Sequence, residues 1–232
     1  MDGEHLLIAM PTRGVPHPRA FNAMMSAANR CTTANVMFPD GAPRDHNRNC
    51  IVQYFLDQHR HDWLLMIDDD SVVPPDVIEL LFSVGKKVVA APQPLYFAPE
   101  ALVVNLARDH GPAGDDYVWP SYHNYDFSQP PYPLLACGFG CVLMHRDVLE
   151  PLERPWFQEH YGDYYGRGGI TEDVWFCRRV LEMGAEIWSC PSASCGHYKW
   201  VDLRDIMPRA ALNIKGTGPS VVMNARENDD GK

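Results

Sequence analysis

Three consecutive aspartates, Asp68, Asp69 and Asp70, directly follow the apolar run Trp63–Ile67. Ligand sites of open α/β sheets lie beyond the carboxyl ends of the strands, so these acids stand where a ligand is expected. Carboxylates packed this closely repel one another unless a cation offsets their charge. A hard divalent ion, Mg²⁺ or Mn²⁺, does so and also bridges a diphosphate. An acidic turn that caps the next helix is the competing interpretation, but three acids exceed what a cap requires.

A second acidic pair, Glu172-Asp173, follows Thr171 at the start of a segment with helical periodicity. A hydroxyl that attacks as a nucleophile must lose its proton to a carboxylate or imidazole within hydrogen-bond reach, and Asp173 is a candidate for such a general base. The alternative is a purely local role, because the helix dipole favours acids in the first turn whatever their function.

A histidine near the C-terminus, His197, follows the last predicted strand within the segment CGHYKW. A neutral imidazole nitrogen can complete a metal's coordination, and one histidine among oxygen ligands suits Mn²⁺. The competing interpretation is a hydrogen-bonded structural histidine, which is the commoner role for a single histidine near a strand end.

Two arginines, Arg13 and Arg48, precede the aspartates. A guanidinium group matches the geometry of a phosphate, so both are candidates to bind a diphosphate or a nucleobase. Each can equally be a surface ion-pair partner.

The elements that must position these side chains alternate between strand and helix in the N-terminal half. Apolar runs predict strands at residues 5–10, 33–38, 63–67 and 87–91, and helical periodicity predicts helices at residues 18–29, 48–59 and 76–84. Alternation of this kind predicts an α/β domain with an open, largely parallel, Rossmann-like sheet that has helices on its faces.

The C-terminal half has shorter strands and longer loops. The predicted elements are strands at 102–106, 134–137, 141–144 and 186–190 and a helix at 172–183, which starts after Thr171 and stops at Gly184. Residues 110–133 lack periodicity, and loops this long in a compact domain are usually functional or mobile, so they are a candidate acceptor-binding region. The Gly- and Tyr-rich residues 160–170 suit either a lid over a ligand or an ordinary surface loop.

Length and composition favour one domain. The chain has 232 residues, of which 46% are hydrophobic and 22% are charged, and this supports a single core at residues 1–215 with a polar tail at 216–232. No run approaches the roughly 18 apolar residues of a membrane span, and the N-terminus lacks a basic-then-apolar pattern, so a cytoplasmic protein is predicted. The net charge of −10 disfavours non-specific binding to nucleic acid.

Several short motifs stand in the order in which they occur in GT-A-fold glycosyltransferases, and the chain resembles the family-2-like members of that group. Asp68-x-Asp70 resembles their D-x-D segment, and Glu172-Asp173 matches their E-D pair. The other matching segments are Pro11-Thr12-Arg13 (a first nucleotide-binding loop), Arg48-Asn49 (the opening of the helix before the D-x-D strand), Gly138 to Met144 with Arg146 to Leu149 (an acceptor-side strand and helix) and His197 (a late metal-binding histidine). The resemblance extends from residue 5 to residue 200.

This resemblance implies a GT-A-like single domain, with a nucleotide-sugar half at residues 1–100 and a mixed, acceptor-side half at 101–215. It implies transfer of a sugar from a nucleoside diphosphate donor, with a UDP-sugar favoured, to a hydroxyl acceptor. The residues implied are Asp68, Asp70 and His197 for Mn²⁺ or Mg²⁺, Pro11, Thr12, Arg13, Arg48, Asp68 and Asp69 for the donor, and Glu172 and Asp173 for catalysis. Asp173 as base implies attack opposite the leaving group, and hence inversion.

Two other functions remain open from the residues. An aspartate cluster after a strand also serves metal-dependent phosphoryl or nucleotidyl transfer, and a binding module can retain the fold without turnover. The acceptor is likewise open between a glycan, a small molecule and a hydroxymethylated DNA base, the last as in bacteriophage members of the family, which would place the protein in the host cytoplasm. The sequence leaves the oligomeric state open.

Overall fold

The computed structural model describes residues 5–12, 14–31, 34–39, 43–97, 101–111, 117–162 and 169–199. The strands are β1 (Leu6–Ala9), β2 (Ala34–Met37), β3 (Trp63–Ile67), β4 (Ser71–Val72), β5 (Val88–Ala90), β6 (Pro94–Phe97), β7 (Ala101–Val104), β8 (Leu106–Ala107), β9 (Asp109–His110), β10 (Tyr117–Val118), β11 (Pro133–Leu134), β12 (Ala136–Cys137), β13 (Cys141–His145), β14 (Ile187–Ser189) and β15 (Gly196–His197). The helices are α1 (Pro18–Ala28), α2 (Arg44–Gln58), α3 (Val77–Ser83), α4 (Arg146–Leu149) and α5 (Glu172–Glu182), with a 3₁₀ turn at Tyr122–Asn124.

The central sheet has seven strands in the order β11-β14-β5-β13-β3-β1-β2. β1 is parallel to both β2 and β3, and β14 is parallel to β5. β13 is antiparallel to both of its neighbours, β3 and β5, and β11 is antiparallel to β14. The predicted α/β class with a largely parallel sheet is therefore confirmed. The antiparallel strand at its centre was not predicted, because an apolar run carries no information on its direction.

Both faces of the sheet are buried, which explains why the strands are continuous apolar runs rather than alternating ones. On one face, Leu7, Leu64 and Met66 pack in the cluster that contains the apolar residues of α2 and α5. On the other face, Ile8 and Leu65 pack in the cluster that contains those of α1 and α3. Helices thus cover both faces of the sheet, and the aspartates that follow β3 lie at the edge between the two helical layers.

Two predicted boundaries changed in ways that matter for the site. The predicted helix at 48–59 begins at Arg44, because its first turn is polar and gave no apolar periodicity; this places Arg48 inside the helix, on its buried face. The predicted strand at 102–106 is interrupted at Asn105, whose amide turns into the interior instead of continuing the ladder. The helix from Glu172 ends as predicted, before Gly184 with φ 82°.

The described residues up to Tyr198 form one compact unit. The predicted boundary at residue 215 and the tail at 216–232 lie outside the described residues, as do Arg13 and most of the predicted lid at 160–170. In the candidate acceptor region, β9 and β10 form a short hairpin. In the ranges that the structure describes, no helix is both long enough and apolar enough to cross a membrane.

A buried histidine, His61, lies just before β3, at the end of the sheet opposite the aspartates. It is 1% exposed, its ring stacks on Phe55, and neither ring nitrogen has a hydrogen-bond partner among the described residues. Burial lowers the pKa of His61, and the nearby charges of Arg60, His5 and Arg146 lower it further. The folded protein therefore holds this imidazole neutral.

We expect His61 to make the fold sensitive to acid. Below pH about 6.5 the imidazole is protonated in the unfolded chain, whereas its lowered pKa keeps it neutral in the folded chain. The contribution of His61 to the free energy of unfolding is therefore retained above that pH and is lost as the pH falls below it. The free energy of unfolding, from urea denaturation between pH 5 and pH 8, should fall less steeply on the acid side in His61→Leu than in the parent. The exposed His123 gives a matched variant, His123→Leu, which should keep the parent's slope; equal slopes in all three proteins would contradict the assignment.

Candidate active site

A buried arginine, Arg48, joins the two acidic segments that the sequence singled out. Its side chain is 2% exposed, and its Nη2 donates to Asp68 Oδ1 at 2.8 Å while its Nε donates to Glu172 Oε1 at 3.4 Å. The guanidinium also lies over the rings of Phe139 and Phe157, at 5.2 Å and 5.8 Å from their centroids. Arg48 therefore connects the end of β3 with the start of α5 from within the core, and its fork is occupied by protein carboxylates.

The charges in this cluster shift each other's ionisation. Burial pulls the pKa of Arg48 down, but the carboxylates of Asp68, Glu172 and Asp173 outweigh it and the net shift is upward, so the guanidinium stays charged. For Asp68 the dominant effect is burial, which raises its pKa to about 6 against the opposing pull of Arg48. Asp68 thus ionises near neutral pH because Arg48 faces it.

The two acids at the start of α5 have different surroundings. Glu172 is 1% exposed and directs Oε1 toward Arg48, whereas its Oε2 has no hydrogen-bond partner among the described residues. Asp173 is half-buried, accepts hydrogen bonds from the Thr171 hydroxyl and from the backbone N–H of Val174, and places Oδ2 beside the α-carbon of Gly138. Burial raises the pKa of Asp173 and the adjacent Glu172 raises it further, which makes Asp173 a stronger proton acceptor than an ordinary aspartate.

Asp70 and His197, two of the three residues predicted to bind a metal, lie in contact although they are far apart in sequence. β15 pairs with β4 and brings His197 opposite Ser71. His197 Nδ1 lies 2.7 Å from the carbonyl oxygen of Pro94, and its Nε2 lies 3.2 Å from Asp70 Oδ2. A carbonyl only accepts, so Nδ1 must carry the hydrogen and a neutral imidazole then turns the lone pair of Nε2 toward a carboxylate. Nε2 therefore points at Asp70, where either a proton on the imidazole or a shared cation can join the two groups.

These residues satisfy part of the chemistry that a divalent ion requires. Metal-bound histidines usually donate their second ring N–H to a backbone carbonyl, as His197 does to Pro94. In the described ranges no group of three or more His, Cys, Asp and Glu side chains is arranged to hold an ion. Asp70 and His197 fit two positions of a coordination sphere, and Asp68 Oδ1 is engaged by Arg48. The remaining positions suit phosphate oxygens and water, which Mg²⁺ commonly retains.

The turn that carries the aspartates is held from both sides. The backbone N–H of His17 donates to the carbonyl of Asp69, and that of Tyr198 donates to the carbonyl of Asp70, both at 2.9 Å. The rings of His17 and Tyr198 stack with centroids 4.1 Å apart. The orientation of Asp70 toward His197 is therefore fixed by backbone contacts on both flanks.

The predicted donor loop, Pro11-Thr12, follows β1 directly. Thr12 is 4% exposed, its hydroxyl bonds Gly14, and its carbonyl accepts from the Asn47 amide at 3.0 Å. A cavity of about 450 Å³ opens here, beyond the carboxyl ends of β1 and β2. Its lining residues are Thr12, Gly14, Val15, Pro16, Pro18, Phe21, Asn22 and Phe38.

Sequence analysis missed the buried polar residues that support the site. Ser71, Gln93 and Asn105 are at most 2% exposed and link the β4 region to the segment before β13. In that segment the carbonyl of Gly140 accepts from the backbone N–H of Asp68 at 3.1 Å. A signal was present, because Asn105 interrupts an otherwise apolar run, and buried amides require partners.

Comparison with known proteins shows the fold. No protein-family model and no curated protein sequence matches the chain. Among solved structures it is similar to A197 from STIV, with a TM-score of 0.54, 18% identity and coverage of 84% of this chain and 86% of that one. It is also similar to GalNAc-T7 in a crystal structure with UDP, GalNAc and Mn²⁺, with a TM-score of 0.57, 11% identity and coverage of 85% of this chain and 44% of that one. The fold is thus GT-A-like, and the chain spans less than half the length of the GalNAc-T7 chain.

We expect the buried ion pairs of Arg48 to be required for folding stability. Arg48→Met leaves Asp68 and Glu172 without their cation inside the protein, which should lower the free energy of unfolding by about 3–5 kcal/mol. Arg44 provides the control, because it lies 3.9 Å from the same Glu172 oxygen with its side chain 54% exposed, and Arg44→Met should cost about 1 kcal/mol or less. Urea denaturation measures both, and equal losses would show that burial does not distinguish the two arginines.

Proposed function

We propose that this protein is a metal-dependent glycosyltransferase that moves a sugar from a nucleoside diphosphate donor to a hydroxyl acceptor. The observation that carries the proposal is the contact of His197 with Asp70, in which the Pro94 carbonyl accepts from Nδ1 and so directs Nε2 toward the Asp70 carboxylate. Asp70 is the second aspartate of the D-x-D-like segment, which lies at the sheet edge where α/β folds bind ligands. The fold that the chain shares with GalNAc-T7 supports the same function.

The donor is best accommodated with its nucleoside in the cavity beyond β1 and β2. Phe21 and Phe38 lie there with ring centroids 5.6 Å apart and provide flat apolar surface for a base. The amide of Asn22 lines the same cavity and offers both a donor and an acceptor to the edge of the base. GalNAc-T7 was crystallised with UDP, which makes a UDP-sugar the first donor to test.

Asp70 and His197 would hold Mn²⁺ or Mg²⁺, and the ion would act as a Lewis acid that stabilises charge on the departing diphosphate. The turn held by His17 and Tyr198 keeps the Asp70 carboxylate in place for this role. Behind the Asp70 carboxylate, Asp68 is paired with Arg48. The guanidinium favours the ionised form of Asp68, whose pKa is about 6, so Asp68 is charged at neutral pH.

Asp173 is the proposed base. Its raised pKa increases its affinity for the proton of the attacking hydroxyl, while the Thr171 hydroxyl and the Val174 N–H fix the orientation of its carboxylate. Glu172 faces Arg48 in the core, so we assign it the role of holding that guanidinium rather than contacting the acceptor. Attack on the face opposite the leaving group inverts the anomeric carbon.

The acceptor is proposed to approach along α5 and the β9–β10 hairpin. On this side the Arg178 guanidinium donates to the Tyr117 hydroxyl at 3.0 Å, and the Tyr117 ring lies 6.2 Å from that of Trp119. Aromatic faces of this kind stack on sugar rings and on nucleobases alike, so they suit a glycan, a small molecule or a hydroxymethylated DNA base.

The metal assignment is tested by titration calorimetry with UDP. The parent should bind UDP with Mn²⁺ and lose binding in EDTA. Asp70→Asn and His197→Gln should each weaken Mn²⁺-dependent binding by at least about 10- to 100-fold, because loss of a residue that only orients a metal ligand already costs that much. The exposed His123 supplies a control, His123→Gln, which should bind as the parent does. Binding that is indifferent to EDTA would remove the metal from the proposal.

The base assignment is tested by donor turnover, followed as release of UDP. Asp173→Asn should bind UDP as tightly as the parent and lose about 10²- to 10⁴-fold in turnover. In the parent, turnover should fall as the pH drops through the raised pKa of Asp173, because only the carboxylate accepts a proton. The Thr171 hydroxyl lowers that pKa, so Thr171→Val should move the acid limb to higher pH; full turnover by Asp173→Asn would assign the base elsewhere.

A further inference from the structure

Two buried amide side chains, Gln93 and Asn105, lie between the metal pair and the proposed base. They are 2% and 0% exposed. The backbone N–H of Gln93 donates to Asn105 Oδ1 at 2.7 Å, and the backbone N–H of Asn105 returns a bond to the Gln93 carbonyl at 3.1 Å. Amides suit such a place because each donates and accepts at once without carrying a charge.

Asn105 makes two hydrogen bonds to the backbone of Gly138. Its Nδ2 donates to the Gly138 carbonyl at 3.2 Å, and its own carbonyl accepts from the Gly138 N–H at 2.9 Å. A β-carbon on Gly138 would lie 3.5 Å from Asn105 Nδ2 and also 3.5 Å from Asp173 Oδ2. The amide of Asn105 and the carboxylate of Asp173 therefore flank the same glycine.

Gln93 makes the corresponding contacts on the metal side. Its Nε2 donates to Ser71 Oγ at 2.7 Å and to the Gly196 carbonyl at 3.5 Å, so it touches both β4 and β15, the strands that bring His197 to Asp70. Its side chain also packs against Gly140, where an added β-carbon would lie 1.6 Å from Gln93 Oε1. No side chain larger than hydrogen fits at position 140 while Gln93 keeps its place.

The segment from Gly138 to Gly140 thus connects both halves of the site. The Gly140 carbonyl holds the backbone of Asp68, the Phe139 ring lies beneath Arg48, and Gly138 borders Asp173. A shift of this segment would change the separation between the metal pair and the base. Reacting groups must be held within a fraction of an ångström of their working geometry, and such groups depend on supporting hydrogen bonds.

We propose that Gln93 and Asn105 are positioning residues: the bonded pair fixes the Gly138–Gly140 segment and so sets the spacing between Asp173 on one side and Asp70 with His197 on the other. This assignment rests on the proposed function for its consequences in turnover. The contacts themselves predict two separate effects, one for each amide.

The effect of Gln93 is on the metal side. Gln93→Met keeps the length and volume of the side chain but removes the amide that bonds Ser71 and Gly196, so UDP binding with Mn²⁺ should weaken by about tenfold, as for other residues that orient metal ligands. The matched control is Gln53→Met, at a glutamine of α2 whose amide bonds the side chains of Asp57 and Arg154, away from the metal side of the site. Equal affinities in the two variants would overturn the role of Gln93.

The effect of Asn105 is on the side of the base. Asn105→Asp places a second carboxyl group across Gly138 from Asp173. The groups that already act on Asp173 are Glu172, Thr171 and Arg48. The pKa of Asp173, measured by carboxyl ¹³C NMR and assigned with Asp173→Asn, should rise by about one unit. The control Asn49→Asp alters a partly buried amide that instead bonds the backbone of Trp156 and Phe157, and an equal response in both variants would overturn the role of Asn105.

Thermal unfolding of each variant separates positioning from loss of structure. If Asn105→Asp does not fold, Gly138→Ala replaces it, because its β-carbon would meet Asn105 Cβ at 3.3 Å, a contact that small shifts relieve, and would desolvate Asp173 and raise its pKa. An unmoved pKa in Gly138→Ala would likewise overturn the assignment. Should the parent bind no UDP with Mn²⁺, the proposed function fails, and the titration of Asp173, which needs no ligand, decides the positioning role by itself.

Discussion

The charge of Arg48, buried between Asp68 and Glu172, is the constraint on which the rest of the site depends. A guanidinium is buried in an apolar core only when carboxylates pair with it. Here Asp68 at the end of β3 and Glu172 at the start of α5 provide them. The aromatic rings of Phe139 and Phe157 cover its faces. One interaction therefore joins α5 to the central strand, and the charge of Arg48 opposes the rise that burial causes in the pKa values of Asp68 and Asp173.

The antiparallel strand β13 explains how a sheet of otherwise Rossmann-like order assembles this arrangement. Because β13 runs against β3 and β5, its leading end, Gly138 to Gly140, lies at the same edge of the sheet as the aspartates that end β3. A parallel strand would place its leading end at the opposite edge. The reversal thus puts a glycine-containing segment beside Asp68 and Asp173, where a β-carbon would meet Asn105 and Asp173 at position 138 and Gln93 at position 140.

The site combines two kinds of polar group with different consequences. Arg48, Glu172 and the amides Gln93 and Asn105 are almost fully enclosed, and their hydrogen bonds are made to the protein. The groups assigned to chemistry, Asp70, His197 and Asp173, are only partly buried. An enclosed layer of this kind loses little entropy when a ligand binds, because the side chains that orient the reacting groups are already fixed.

The sequence by itself determined the type and order of the main elements, and it predicted a site beyond β3 from Asp68 to Asp70, with Asp173 and His197 as further candidates. Apolar periodicity and short motifs are local, so they can be recognised in a single chain. Only the tertiary structure decided the direction of β13, the burial of Arg48 and the geometry with which Asp70 and His197, 127 positions apart, meet. It also revealed Gln93 and Asn105. Each of these depends on which distant segments meet, and no local pattern in the chain records that pairing.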